Sequence, residues 1–180
     1  MDALPTEDIT VELVLKETGI TRGSLYHFFD DFSELLEEAF LKRFAAHVEV
    51  SAAAIRSIVE DAQDQEDFLT RLEAITKATQ EQGREPLRFE RARILAKAER
   101  NDRFRASLGA VQQELTDALT ECFALAQERG FLNRDFQPRT GAVFIQAYTL
   151  GKIVDDVTTT HMDEDDWNSL ITLISRRALA

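Results

Sequence analysis

Residues that break regular structure are scarce in this sequence, which has seven Gly and three Pro among 180 residues. Long segments therefore run without the residues that end helices, and helix is the first expectation. The sequence shows no strand pattern, no internal repeat and no low-complexity segment. A single cysteine, Cys122, excludes an intrachain disulfide and fits a reducing cytoplasm.

Long apolar runs are also missing, and none approaches the roughly 20 residues that a membrane-spanning helix needs. The first ten residues are acidic and lack the apolar stretch of a signal peptide. The three His are far apart in the sequence, and no nucleophile elbow, His-Glu-x-x-His or P-loop motif is present. The sequence therefore predicts no membrane partner, no enzyme, no cofactor and no metal.

Positive charge is in short supply as well, since 33 acidic residues outnumber 21 basic ones and the net charge is −12. Such a surface repels phosphate on average, so any contact with nucleic acid has to come from a local patch. Residues 1–44 carry four basic side chains against ten acidic ones. We expect non-specific affinity for DNA to be weak and strongly salt-sensitive.

What the chain has in abundance is helical periodicity of apolar residues. The pattern predicts helices over residues 7–17, 21–29, 31–60, 64–83, 86–100, 103–129, 139–160 and 164–178. Leu25, Phe28 and Phe29 form the predicted apolar side of the second helix. The fold class predicted is therefore all-α.

The stretch GITRGSLYHFF, residues 19–29, combines a turn with a short polar helix. Gly19 can end the first helix and Thr21 can cap the second through its hydroxyl. Two short helices joined by a turn with Gly describe a helix-turn-helix, whose second helix enters the major groove of DNA. The same features also occur in helical hairpins that bind no DNA.

The residue types in this stretch suit contact with a duplex. Arg22 can bond guanine O6 and N7 in a bidentate way, and Gly23 lets the backbone come close to the DNA. The remaining candidates are donors to phosphate or base edges: Thr21, Ser24, Tyr26 and His27.

The order of residues is more specific than these general features. The segment TVELVLKETGITRGSLYHFFDDFSELLEEAF strongly resembles the helix-turn-helix of the TetR family of transcriptional regulators. The matching residues are Thr10, Val14, Gly19, Ile20, Thr21, Gly23, Ser24, Leu25, Tyr26, Phe29, Leu35 and Leu36. The second half resembles the family more loosely, at Gly130, Leu132, Pro138 and Gly151.

The resemblance implies a DNA-binding domain over residues 1–45 and a ligand-binding and dimerisation domain over 46–180. It also implies a homodimer through the last two helices, operator DNA as a partner, and a repressor released by a small-molecule ligand. The expected interface residues are Ala147, Gly151, Val154, Trp167, Leu170, Ile171 and Ile174. The candidate pocket residues, each of which could equally be ordinary core, are Phe68, Leu72, Phe89, Phe104, Phe123, Phe144 and Tyr148. Arg88, Arg91 and Arg93 could meet an acidic ligand, although a solvated face with ion pairs is the favoured interpretation.

Three features depart from the family. Only about nine residues precede the first matching segment, too few for the helix that the family places there, so we expect the natural start to lie upstream or the chain to be shortened. Phe32 stands where the family usually has Lys, and residues 1–44 are acidic. These departures support an alternative hypothesis, in which the protein is a dimeric ligand-binding or protein-interaction module that has lost DNA binding.

Overall fold

The computed structural model describes residues 9–179, and all of its regular structure is helical. The expected lack of a preceding helix concerns residues 1–8, which lie outside the described residues. The helices are α1 (Val11–Thr18), α2 (Arg22–Phe28), α3 (Phe32–Asp61), α4 (Gln65–Gln80), α5 (Glu85–Ala98), α6 (Asp102–Glu128), α7 (Pro138–Gly151), α8 (Ile153–Asp156) and α9 (Glu164–Leu179). The all-α prediction is confirmed for the described part of the chain. A 3₁₀ turn at Gln82–Arg84 leads from α4 into α5.

The first two helices form the predicted helix-turn-helix. The hydroxyl of Thr10 accepts from Leu13 N at 3.2 Å and caps α1. Gly19 ends α1 with φ 70°, the left-handed conformation that favours glycine. Val14 of α1 and Leu25 of α2 are both buried. The caps and these two buried side chains stabilise the helix-turn-helix.

The start of α3 resembles a capping box with a shift of one residue. Asp31 Oδ1 accepts from Glu34 N at 2.9 Å, as a capping residue does. The Glu34 carboxylate returns to Asp30 N at 2.6 Å, one residue before the usual position of the capping box. The chain divides into two compact units, residues 1–43 and 44–180, and the division falls within α3.

The larger unit is built on one hydrophobic core. The apolar periodicity that predicted a helix over residues 103–129 is confirmed, since Leu115, Leu119 and Phe123 of α6 are buried. The core also takes side chains from the second half of α3, from α4 and from α7. Its buried members are Val48, Ile55, Ile58, Val59, Ala62, Phe68, Leu69, Leu72, Leu115, Leu119, Cys122, Phe123, Ala126, Leu132 and Ala142.

Two glycines shape the passage from α6 to α7, one just after α6 and one in the first turn of α7. Gly130 has φ 76°, and the amides of the next two residues both donate to Ala126 O, which closes the end of α6. A Cβ placed on Gly141 would lie 2.7 Å from the Phe136 ring and 2.8 Å from the Phe123 ring. The absence of a side chain at 141 therefore lets α7 pack closely on these two rings.

One predicted helix is divided in the structure. We expected a single helix over residues 139–160, but α7 ends at Gly151 and only the short α8 follows. The interruption coincides with Lys152, a buried residue whose ammonium group donates to the carbonyl of Gln80 at the end of α4. Among the described residues, no helix is both long and apolar enough to cross a membrane.

Candidate nucleic-acid interface and ligand site

The start of α2 presents an exposed polar surface. Thr21 Oγ1 accepts from Ser24 N at 3.1 Å, so the predicted cap is confirmed, and it lies 3.0 Å from Ser24 Oγ. Leu25 is only 1% exposed and anchors the helix beneath this surface. The six candidate DNA-contacting residues Thr21, Arg22, Gly23, Ser24, Tyr26 and His27 are all exposed.

Arg22 has a partner that the sequence did not reveal. Its Nη2 atom donates to Glu12 Oε1 at 2.7 Å, and both side chains remain largely exposed. A hydrogen bond from its own backbone, followed by the one from Arg22, holds the pKa of Glu12 below its ordinary value. At neutral pH, the Nη2 atom of the guanidinium therefore contacts a carboxylate.

The other residues of α2 differ in how closely their surroundings constrain them. A Cβ on Gly23 would meet nothing closer than Thr21 Oγ1 at 3.9 Å, so the fold of this unit does not itself require glycine there. The His27 and Phe28 rings contact edge to face at 5.1 Å. Phe28, which helical spacing places on the apolar side of α2, is 76% exposed, so no described residue covers it.

The seven candidate pocket residues do not share one environment. Phe68, Leu72 and Phe123 belong to the continuous core of the larger unit. Phe104 is also buried, Phe89 and Tyr148 are partly buried, and Phe144 is exposed. The Phe144 and Tyr148 rings contact each other at 5.4 Å, and the Tyr148 hydroxyl lies 3.3 Å from Thr76 Oγ1. Burial raises the pKa of that hydroxyl.

The expectation of a solvated basic face on α5 is wrong for Arg88. Its side chain is 5% exposed and its Nε atom pairs with Asp156 Oδ2 at 2.5 Å, while Nη2 donates to Oδ1 at 2.7 Å. Arg88 Nη1 also donates to Glu81 O at 3.2 Å. No spacing in the sequence could have indicated this pair, because 68 positions separate its members.

Lys152 was also missed, although it is charged and buried. Lys152 and Arg88 donate to the carbonyls of Gln80 and Glu81 at the C-terminal end of α4. Positive charge is stabilising there, because this end of the helix dipole is negative. Trp167 Nε1 donates to Gln80 Oε1 at 3.1 Å, so α9 joins the same polar cluster. This cluster positions α8 and α9 against the end of α4.

The predicted interface residues fall into two groups. Ala147, Gly151, Val154, Leu170 and Ile174 are exposed, and no atom lies within 4 Å of a Cβ placed on Gly151. Ile171, in contrast, is buried within the chain, and Trp167 is partly buried. The exposed group leaves apolar surface on α7, α8 and α9.

Comparisons with known proteins bear on the fold. No protein-family model matches this chain, and no curated protein matches it. Among solved structures, the chain is similar to the ketosteroid transcriptional regulator KstR2 of Mycobacterium tuberculosis, a TetR-family regulator. The TM-score is 0.57 and the identity 17%, over 97% of this chain and 86% of that one. The arrangement of helices described above is therefore a TetR-like regulator fold.

Proposed function

We propose that this protein is a cytoplasmic, homodimeric transcriptional regulator that represses by binding operator DNA and is released by a small-molecule ligand. The observation that carries the proposal is the exposed polar surface of α2, fixed by the Thr21 cap and the buried Leu25. It occurs within a TetR-like fold, and the similar structure is described as a transcriptional regulator.

In the proposed complex, α2 is the recognition helix. Arg22 would exchange its single contact with Glu12 for a two-pronged contact with the O6 and N7 acceptors of a guanine. Thr21, Ser24, Tyr26 and His27 would donate to phosphates or base edges. Two such helices in a dimer bind successive major grooves when they lie about 34–36 Å apart.

The dimer proposal depends on the exposed apolar residues of α7 and α9. Large apolar side chains in water are disfavoured when they are grouped on one surface, and such surfaces are typical of interfaces. Phe144, Leu170 and Ile174 are each more than a third exposed. Pairing of these helices between two copies would bury them, and Gly151 would allow close approach of the partner.

Release by ligand would operate through two states of the dimer. A ligand in the larger unit shifts the equilibrium only if it binds one state more tightly than the other. The state it favours would hold the two recognition helices at the wrong spacing for successive grooves.

The proposal is tested by selecting duplexes from a randomised double-stranded DNA library with the purified chain at low salt. We expect enrichment of a palindrome with half-sites one helical turn apart. Arg22→Ala should weaken the enrichment and lose the preference at one base pair of each half-site, whereas Arg56→Ala, which removes an exposed arginine from α3 in the larger unit, should preserve both. A library that stays random at low salt would refute DNA recognition.

A second candidate function is a dimeric ligand-binding or protein-interaction module without DNA binding. It is favoured by the ion pair between Glu12 and Arg22 and by the excess of acidic residues in positions 1–44. The same selection separates the two candidates, because the module predicts no enriched duplex from a chain that still forms a dimer.

A further inference from the structure

Two arginines of α5 lie three residues apart and have contrasting partners. Arg88 uses its Nε and Nη2 atoms, which form one edge of the guanidinium, to bind both oxygens of Asp156. This is the two-pronged geometry in which arginine holds a carboxylate most strongly.

The corresponding edge of Arg91, formed by its Nε and Nη2 atoms, binds no carboxylate within the described part of the chain. Its Nη2 atom donates to the side-chain oxygen of Gln112 at 3.0 Å. Its Nε atom is inaccessible to solvent, and no acceptor within the described part of the chain lies at hydrogen-bond distance from it. The ring of Phe44 lies 5.7 Å from the guanidinium carbon. The two side chains described in contact with the Arg91 guanidinium, Gln112 and Phe44, are therefore neutral.

A guanidinium in this position is costly to the folded protein. Burial lowers the pKa of Arg91, because a desolvated cation is disfavoured, and no carboxylate offsets this. Arginine nevertheless stays charged in proteins, so it cannot escape the cost by losing its proton. A buried donor without an acceptor adds a further penalty. An arrangement of this kind is stabilised by an anion that supplies the missing acceptor.

The surroundings of Arg91 would hold such an anion in a defined place. Gln112 Nε2 donates to Gln146 Oε1, and Gln146 Nε2 donates to Thr116 Oγ1 at 3.2 Å. The chain of amides thus joins α5, α6 and α7. It sets the Gln112 oxygen against Arg91, and it carries no charge of its own.

We propose that Arg91 binds the carboxylate of the ligand in the larger unit, and that this ligand is a monocarboxylic acid with an apolar body. One cation among neutral amides balances one negative charge, which favours a carboxylate over a phosphate dianion. The apolar body is favoured because Phe44 packs against the hydrophobic core. This inference rests on the proposed ligand-binding role of the larger unit.

The test follows the Nε–H signals of arginines in ¹H–¹⁵N NMR spectra of the full chain, with Arg91 assigned by its loss in Arg91→Lys. Hexanoate, octanoate and 3-phenylpropanoate are each titrated to millimolar concentration beside their primary amides. We expect the acids to move the Arg91 signal downfield, towards that of Arg88, which already donates to a carboxylate. The amides should leave it in place.

Affinity measured in the same titrations gives a second readout. Arg91→Lys keeps the charge but loses the two-pronged edge, and we expect acid binding to weaken on the order of ten- to a hundredfold. Arg93→Lys, two residues further along α5 on an exposed side chain, is the matched control and should bind as the natural chain does. The inference is overturned if no acid moves the Arg91 signal, if acid and amide act alike, or if both variants bind equally.

The acid titrations and the duplex selection test the two proposals separately. Enriched duplexes without any response to the acids would overturn the acid ligand and leave the regulator. A response to the acids without enriched duplexes would leave the acid ligand and remove the regulator.

Discussion

The guanidinium of Arg88 and the carboxylate of Asp156 form a two-pronged ion pair in which both side chains are 5% exposed or less. The pair joins α5 to α8, 68 positions apart in the chain. Because both charges are out of water, each depends on the other for its stability.

Removing one member of this pair should be far worse than removing both. We expect Arg88→Met to lower the free energy of unfolding by about 3–5 kcal/mol, because Asp156 is left buried without a counter-charge. The double variant Arg88→Met with Asp156→Leu should regain much of that loss. Urea unfolding of the three chains measures both values, and a double variant no more stable than the single one would contradict the account.

Gly141 should be intolerant of even one added methyl group. We expect Gly141→Ala to cost about 1–3 kcal/mol, since the new Cβ would press on the Phe136 and Phe123 rings. Gly109, inside α6, is the matched control, because no atom lies within 4 Å of a Cβ placed there. Gly109→Ala should instead stabilise the chain by about 0.5–1 kcal/mol. Thermal unfolding distinguishes the two, and equal effects would show that packing at 141 is looser than described.

Arg22 and Glu12 should have opposite effects on DNA binding. Once a duplex is selected, we expect Arg22→Ala to cost about 1–3 kcal/mol and to relax specificity at one base pair. Glu12→Gln should strengthen binding, because it removes the carboxylate that Arg22 has to leave. Fluorescence anisotropy with the selected and a scrambled duplex measures both. Equal losses for Arg22→Ala on the two duplexes would reject base recognition by this side chain.

Charge placed on α9 should separate the proposed dimer. We expect Leu170→Lys combined with Ile174→Lys to convert the dimer to a monomer, because two cations would be buried in the interface. Leu87→Lys, at a comparably exposed apolar residue of α5, is the matched control and should remain dimeric. Sedimentation velocity at equal protein concentration measures the oligomeric state of each variant, and circular dichroism verifies that it is folded. A double variant that sediments as a dimer would place the interface elsewhere.

The local features of the fold could be predicted from sequence because their causes are local. A cap lies within three residues of the amide it serves, as at Thr21 and Ser24, and Gly19 ends α1 through its own φ angle. The apolar face of α6 follows from helical spacing alone. Each of these predictions needed no knowledge of which helices meet.

The polar cluster at the end of α4 could not be predicted, because its members come together only through packing. Lys152 was expected within a continuous helix, and Arg88 on a solvated face. The partner of each depends on where α4, α5 and α8 lie in space.

The thiol of Cys122 should be inert in the folded chain. It is buried in α6, and desolvation raises its pKa to about 12. At pH 8 we expect a thiol reagent to label it only in urea. Above about pH 8.5 the unfolded thiol ionises while the folded one keeps its proton, so stability should fall by up to about 1.4 kcal/mol per pH unit. Rapid labelling of the native chain would show that α6 opens readily.

Because the thiol of Cys122 is buried, a cysteine introduced elsewhere can be labelled without labelling Cys122. A cysteine introduced on exposed α2, or on exposed α9, would be the only thiol that takes up a spin label or a fluorophore under native conditions. A paired copy would then carry two probes related by symmetry. Their separation could be followed directly as acid or duplex is added, with no native residue removed to silence the background.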